Sequence, residues 1–222
     1  MESDNGGALS VVFLGLAVIL VLVILILSIA DYSLYSYKKK SIASAIDFSV
    51  SAAVQENNVE LSRRGYAAGV DESAGKLSTD NIIIDKNIAE TAFFSTLEKN
   101  VGIKRTDVIA NTMIIIINPT SSSMNYIISN DTKDISGSVT EPSSLESIIN
   151  TNSIQFWDAS LPDSELVYVN GNPKTNEFKK KPYYMVFIKN FEIDGLFKKR
   201  LATFISFKGA NIERSKGSGN NE

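Results

Sequence analysis

The sequence predicts an α+β protein, a long N-terminal transmembrane and stalk α-helix packed with a small domain built on an antiparallel β-sheet. Three observations predict it. Residues 8–30 form a run of 23 without a charge or a proline. No proline precedes Pro119, and no glycine lies between Asp31 and Arg64, so nothing interrupts a helix that continues beyond the apolar run. The second half then carries short β-branched runs separated by turn residues.

The apolar run comes first. At ~1.5 Å per residue a helix of this length covers the ~30 Å hydrocarbon core of a bilayer. Its valines and isoleucines would suit a strand, but a lone strand in lipid leaves its backbone unpaired, so a helix is expected. Ser28-Ile29-Ala30 followed by Asp31 also fits a cleaved signal peptide. The run is, however, longer than a signal core of ~7–15 residues, and the leading MESDNGG lacks the usual positive charge. A retained single span is therefore the expectation. Charge alone argues against export of the C-terminal part, because Glu2 and Asp4 precede the span and Lys38, Lys39 and Lys40 come after it.

Beyond the span, Ser41 to Gln55 reads SIASAIDFSVSAAVQ and continues the helix. Tyr32, Tyr35 and Tyr37 are placed as an aromatic belt. Ala43, Ala45, Ser49, Ala52 and Ala53 make a stripe of small residues that admits another backbone, whether a second helix or the chain's own domain. Together with Gly15 in the span they are the candidate helix–helix assembly residues. Replacing Ala45 and Ala52 with leucine is expected to block assembly and spare insertion.

Gly65, Gly69 and Gly75 mark the loop that ends the stalk. A short strand is expected at 82–84, with Asp85 as N-cap of a helix whose Ile88, Ala92, Phe93 and Leu97 face inward and which Gly102 terminates. Asp107–Asn118 carries the run Met113-Ile114-Ile115-Ile116-Ile117 and reads as a central strand ended by Asn118-Pro119. From Thr120 to Asn152 serine, threonine and asparagine dominate, and one weak strand at Tyr126–Ser129 is expected within a long surface excursion. Glu165–Asn170 reads as another strand. The last element is a hairpin, Tyr183–Ile193 and Leu196–Lys208, with Asp194-Gly195 as a two-residue turn. Neither face of its first strand is polar before Lys189, which predicts the stalk on one face and a loop or a neighbouring subunit on the other. The expected organisation is a cytoplasmic N-terminus 1–7, a transmembrane helix 8–30, a helical stalk 31–64, an extracytoplasmic α+β domain 65–213 and a disordered tail 214–222.

Composition closes many functional classes. The chain has 22 Lys+Arg against 25 Asp+Glu, a net charge of −3, which gives no reason to expect nucleic acid as a partner. It has no cysteine and no histidine, so thiolate chemistry, disulfides and the commonest zinc ligands are excluded. No phosphate-binding glycine pattern occurs, and Asp80, Asp85, Asp131 and Asp134 lack calcium-loop spacing. No catalytic residue, cofactor or metal is expected, and the chain is not expected to be an enzyme. Lys179-Lys180-Lys181 and Lys198-Lys199-Arg200 read as charges that guard strand ends. Trp157 reads as a core anchor.

Glycines ahead of a long apolar helix, Asp31 at its outer end, tyrosines, basic residues and an Ala/Ser-rich helix around Asp47 resemble the TadE/TadG-like pseudopilins of tight-adherence pili. Ile82-Ile83-Ile84-Asp85 and the Ala89, Ala92, Phe93, Leu97, Asn100 helix extend the resemblance to about the first 105 residues. The resemblance implies a pilin-like structural or assembly subunit in the cell membrane, single-pass, with its C-terminal domain extracytoplasmic despite the charge pattern. It implies the lipid bilayer and other pilin-like or pilus-assembly proteins as partners, in a homo- or hetero-oligomer. Gly6 and Gly7 are the corresponding processing positions; five residues on stand Val11 and Val12, where type IV-like prepilins carry glutamate. The alternative is a membrane-anchored extracytoplasmic binding or sensor domain unrelated to pili.

Overall fold

One helix, α1 (Asn5–Gln55), runs without interruption through the apolar segment and into the Ala/Ser-rich segment. The structure is a computed structural model and describes residues 5–55, 70–71, 76–77, 83–157, 178–179 and 181–210. The end of the stalk at 56–64, the glycines at 65, 69 and 75, the expected strand 165–170 and the tail 214–222 lie outside the described residues, as does the side chain of residue 157. A two-residue ladder pairs β1 (Val70–Asp71) with β2 (Lys76–Leu77). Next come α2 (Lys86–Val101), a helical turn at Arg105–Val108 and a 3₁₀ turn at Ile109–Asn111. They lead into β3 (Thr112–Pro119), β4 (Met124–Asn130), β5 (Asp134–Val139), α3 (Pro142–Trp157), β6 (Tyr183–Asp194) and β7 (Lys199–Gly209).

Among the described residues five strands form one antiparallel sheet in the order β5-β4-β3-β6-β7. The isoleucine run sits at its centre, with Ile115 opposite Ile128 of β4 and Met185 of β6. All of Thr112–Pro119 is buried, as a strand covered on both faces requires. The chain thus has the α+β architecture its sequence predicts.

The structure divides the chain into two compact units, Met1–Ser41 with Glu192–Ala202, and Ile42–Phe191 with Thr203–Glu222. Within the second unit, one sheet face carries Met113, Ile115, Ile117, Tyr183, Met185 and Phe187, packed with Leu145 and Ile149 of α3 and with Phe178. This face was expected to meet a loop or a neighbouring subunit; the chain's own helix α3 covers it instead. Ile114, Ile116, Tyr184 and Val186 point the other way and are equally buried. Phe93 of α2 lies 6.2 Å from the Tyr184 ring on that side. The segment 42–55 of α1 buries Ala45, Ile46, Ser49, Val50, Ala53 and Val54, the three-and-four spacing of a one-sided helix.

Several boundaries differ from expectation, each for a physical reason. Ile83 and Ile84 are not a strand. The Asn118 side chain bonds the Ile84 backbone on both sides, accepting from its N–H (2.8 Å) and donating to its carbonyl (3.1 Å). One side-chain amide therefore does what a neighbouring strand would do. Asp85 caps α2 as expected, accepting from the Ile88 amide, and Gly102 ends it with φ 71° and its N–H on the Glu98 carbonyl. Ala92, Phe93 and Leu97 are buried, but Ile88, in the first turn, is half exposed. The strand expected from Asp107 starts only at Thr112, because Asp107 accepts from the Lys104 amide and closes a helical turn first.

The excursion 120–152 holds far more than one weak strand. Thr120 and Ser123 close a tight turn between β3 and β4, and the Asn130 carboxamide accepts from the Thr132 and Lys133 amides to turn the chain into β5. The edge strand β5 alternates exposed and half-buried residues. Pro142 then stands at the first position of α3, where a missing N–H does no harm.

In β6 Asn190 takes φ 50°, and the side-chain alternation shifts there by one residue. Tyr184, Val186 and Ile188 precede it on one face. Phe191 follows on that same face, its ring 5.8 Å from Phe204, whereas Ile205 and Phe207 pack toward Met113 and Phe187. Asn190 is thus the extra residue of a β-bulge, a place where asparagine tolerates the left-handed conformation.

Replacing Asn118 with leucine is expected to destabilise the domain by about 1–3 kcal/mol for each Ile84 backbone group left unpaired, read from urea unfolding of the detergent-solubilised chain. Tyr184 tests the converse. Its hydroxyl is buried with no hydrogen-bond partner among the described residues, and burial, then Glu90, pushes its pKa well above the usual 10.0. Tyr184→Phe is therefore expected to leave stability unchanged or raise it by up to about 1 kcal/mol; a loss larger than that would mean the hydroxyl has a partner.

Candidate functional site

The polar centre of the first unit is built around Asp31, the first residue past the apolar run. It lies in mid-helix, so its own backbone is satisfied and its side chain alone must find partners. As a carboxylate it can only accept hydrogen bonds. Oδ1 accepts from two successive amides, Leu196 (2.5 Å) and Phe197 (3.1 Å), in the loop between β6 and β7. Oδ2 accepts from Nη2 of Arg200 at 2.6 Å. Asp31 is only 4 % exposed.

The rest of the helix face supports the same contact. Tyr35 and Lys38 fall four and seven residues after Asp31, on one side of the helix. The Arg200 guanidinium lies over the rings of Tyr35 (5.1 Å) and Tyr32 (5.6 Å), within cation–π range. Nζ of Lys38 donates to the Asp194 carbonyl at 2.9 Å. Tyrosines expected only as an interfacial belt thus also hold a cation, although Tyr32 and Tyr37 keep exposed rings.

This clamp explains the turn. The hairpin was expected to reverse through Asp194-Gly195 alone. Instead Gly195, Leu196, Phe197 and Lys198 form the loop, closed by a Gly195 N–H to Lys198 carbonyl bond of 3.0 Å. A Cβ on Gly195 would collide with the Asp31 carboxylate and lie 2.8 Å from the Lys198 carbonyl oxygen. The wider loop turns two amides toward one carboxylate, which a two-residue turn would not do.

Residues singled out in the sequence fare differently. Gly15 lies in the exposed span with nothing within 4 Å of where a side chain would begin. Gly6 and Gly7 fall in the first turn of α1. Ala45, Ser49 and Ala53 are buried within the chain's own second unit, Ser49 with its hydroxyl on the Ala45 carbonyl at 2.7 Å. Ala43 and Ala52 are half buried at the margins of that face. Of the two partners open to the stripe, its own domain is the one it meets. Ala45→Leu would overpack this core, so it does not test assembly cleanly. The basic residues Lys199 and Arg200 pair with Glu192 (2.9 Å) and Asp31, and Lys179 lies 3.9 Å from Glu141.

A polar depression in the second unit is lined by Lys86, Glu90, Arg105 and Asp134, in which Lys86 pairs with Asp134 at 2.5 Å and Arg105 with Glu90 at 3.6 Å. These four charges pair with one another, and the exposed Asp131 and Lys133 complete the rim. Asp31 was legible only as a landmark; its partner Arg200 is 169 residues away, and no local pattern joins them. No protein-family profile, curated protein or solved structure matches the chain.

The Phe197 amide foremost, then the Leu196 amide and the positive charges of Arg200 and Lys198, hold the Asp31 carboxyl below its usual 3.8, against the opposing effect of burial. A depressed carboxyl stabilises the fold above the unfolded value, and that contribution disappears as pH falls through the lowered folded value. Wild-type protein is thus expected to melt above Asp31→Asn at neutral pH. The gap should close as the solution is acidified below 3.8, followed by circular dichroism melts across pH. A gap that persists unchanged in acid would show that the carboxylate charge is not what holds the loop.

Proposed function

We propose that the chain is a pilin-like, membrane-anchored structural or assembly subunit, single-pass, with its sheet domain extracytoplasmic. The observation that carries this reading is the two-part character of α1. From Val11 to Ile29 its large apolar side chains are 39–69 % exposed, whereas 42–55 is buried along one side. A helix bare and apolar all round is stable only in lipid or against other apolar helices. It is long and apolar enough to cross a bilayer. The later part of the same helix, 42–55, supplies part of the core of the second unit. The resemblance of the first 105 residues to TadE/TadG-like pseudopilins supports the pilin-like assignment.

The burial of Ala45, Ser49 and Ala53 favours a second reading, an anchored binding or sensor domain unrelated to pili. It takes the buried side of the stripe out of use as an open surface for another helix.

The chain has no cysteine, so single substitutions report cleanly. With Ser121→Cys, an exposed position, a membrane-impermeant maleimide should label intact cells. With Ser3→Cys it should label only after permeabilisation. The reverse pattern would refute the orientation. Photo-crosslinking from position 15 then separates the two readings: capture of other proteins with a single N-terminal apolar helix supports the pilin-like one, and capture of none supports the sensor.

A further inference from the structure

The end of the β6–β7 hairpin is apolar where it should be polar. Leu196 is 53 % exposed and Phe197 63 % exposed, at the tip of a loop fixed by hydrogen bonds on both of their amides. Those bonds run to Asp31, the residue directly after Ala30. The tip backbone therefore lies within hydrogen-bonding distance of the helix turn at which the apolar run stops. With α1 in a bilayer, that level is the boundary between acyl chains and headgroups. The exposed ring of Tyr32, one residue on, occupies the depth at which interfacial aromatics are enriched.

Charge at this level is complementary to an anionic surface. The polar part of the unit, 31–41 with 192–202, carries six cationic residues (Lys38, Lys39, Lys40, Lys198, Lys199 and Arg200) against three anionic ones (Asp31, Glu192 and Asp194). Arg200 and Lys199 are paired with Asp31 and Glu192. Lys198, beside the two apolar residues, and Lys39 and Lys40 on the helix are exposed. Apolar side chains next to lysines are the composition of an interfacial anchor.

We propose that the hairpin tip is a second membrane contact, in which Leu196 and Phe197 enter the headgroup–acyl boundary of an anionic leaflet and Lys198 reaches its phosphates. The contact rests on the reading that α1 crosses the bilayer and deepens it. An anchor at two points, a helix and a loop clamped to it, fixes the helix about its own axis as well as in depth. The hydrogen bonds to Asp31 position the tip, so little conformational freedom remains to be lost when it meets lipid.

The test uses the full chain with its single tryptophan removed, Trp157→Phe, and one tryptophan reintroduced at position 13, 48 or 197. Each protein is reconstituted into phosphatidylcholine–phosphatidylglycerol vesicles whose acyl chains are brominated near the headgroup end. Phe13→Trp reports the span, and Phe48→Trp an exposed helix position outside the apolar run. Quenching of the tryptophans at 13 and 197, with the one at 48 unaffected, is the expected result. Quenching at 197 should weaken by about twofold or more when phosphatidylglycerol is omitted or when Lys198→Glu is added, because each lysine near an anionic surface contributes to its attraction.

If position 13 is quenched and position 197 is not, the tip stays out of lipid and this proposal fails while the membrane reading stands. A position 197 shielded from both bromolipid and aqueous iodide would place a protein partner there, and overturns it as well. An unquenched position 13 defeats both. Equal quenching at 197 with and without phosphatidylglycerol overturns the role given to Lys198.

Discussion

A carboxylate set in a helix directly after twenty-three residues with no charge has few places to go. Asp31 cannot turn back along the apolar surface, and burying it unpaired would drive it to neutrality. The chain meets this constraint by bringing a hairpin to the helix. Two amides and a guanidinium converge on one side chain, and the geometry of everything nearby follows from them. The loop must be wide enough to aim successive N–H groups the same way, residue 195 must lack a side chain, and Arg200 must reach Asp31 while its flat face rests on Tyr32 and Tyr35. Removing the carboxylate would take the acceptor from two loop amides and from a half-buried cation, so the pieces are interdependent rather than merely adjacent.

The second unit answers a different requirement, that a strand of four isoleucines be dry on both sides. Ile115 and Ile117 are sheltered through α3, and Ile114 and Ile116 lie buried on the side that meets α2. Polar residues of this interior find partners within it, as Asn118 does with Ile84 and Ser49 with the Ala45 carbonyl. The Tyr184 hydroxyl has no such partner among the described residues, while its ring packs against Phe93. The bulge at Asn190 keeps Phe191 turned toward Phe204 after the strand has used its alternation on Tyr184, Val186 and Ile188.

What was legible in the sequence was whatever local physics decides. The apolar run, the Asp85 cap, the Gly102 stop and the isoleucine strand each carry their signal within a few residues; the cap and the stop stand where expected, and the strand holds the isoleucine run but starts five residues later. The elements that escaped notice are decided by distant partners. Ile83 and Ile84 have the composition of a strand, yet the hydrogen bonds of the Ile84 backbone are taken by a side chain 34 residues away. DISGSV looks like loop because it is an edge strand, with only every second residue half buried. PSSLESIINTNSIQFW hides a helix among serines and asparagines because its stability comes from Leu145 and Ile149 against the sheet and not from helix propensity. The Asp31 clamp was invisible for the same reason, since neither DYSLY nor GLFKKR announces the other.

The small residues of α1 illustrate how the same pattern can serve two ends. A stripe of alanine and serine lets any backbone approach, and sequence alone does not say whose. Once Ala45, Ser49 and Ala53 are used inside the second unit, a second copy of the helix cannot use them without unpacking that core. Association through α1 then falls to its exposed side chains, those of residues 10–30 among them. In a bilayer the apolar side chains of 10–30 would gain nothing from leaving lipid for one another, and only close packing or a hydrogen bond would favour contact. Gly15 offers the first, with no atom within 4 Å of its Cα-proton side, while the Ser28 hydroxyl is already committed to the Ile24 carbonyl at 2.8 Å. Helix contacts centred on Gly15 would be short-range and weak singly. Assembly on such a face would therefore call for many subunits acting together or for a partner whose own helix supplies a polar group.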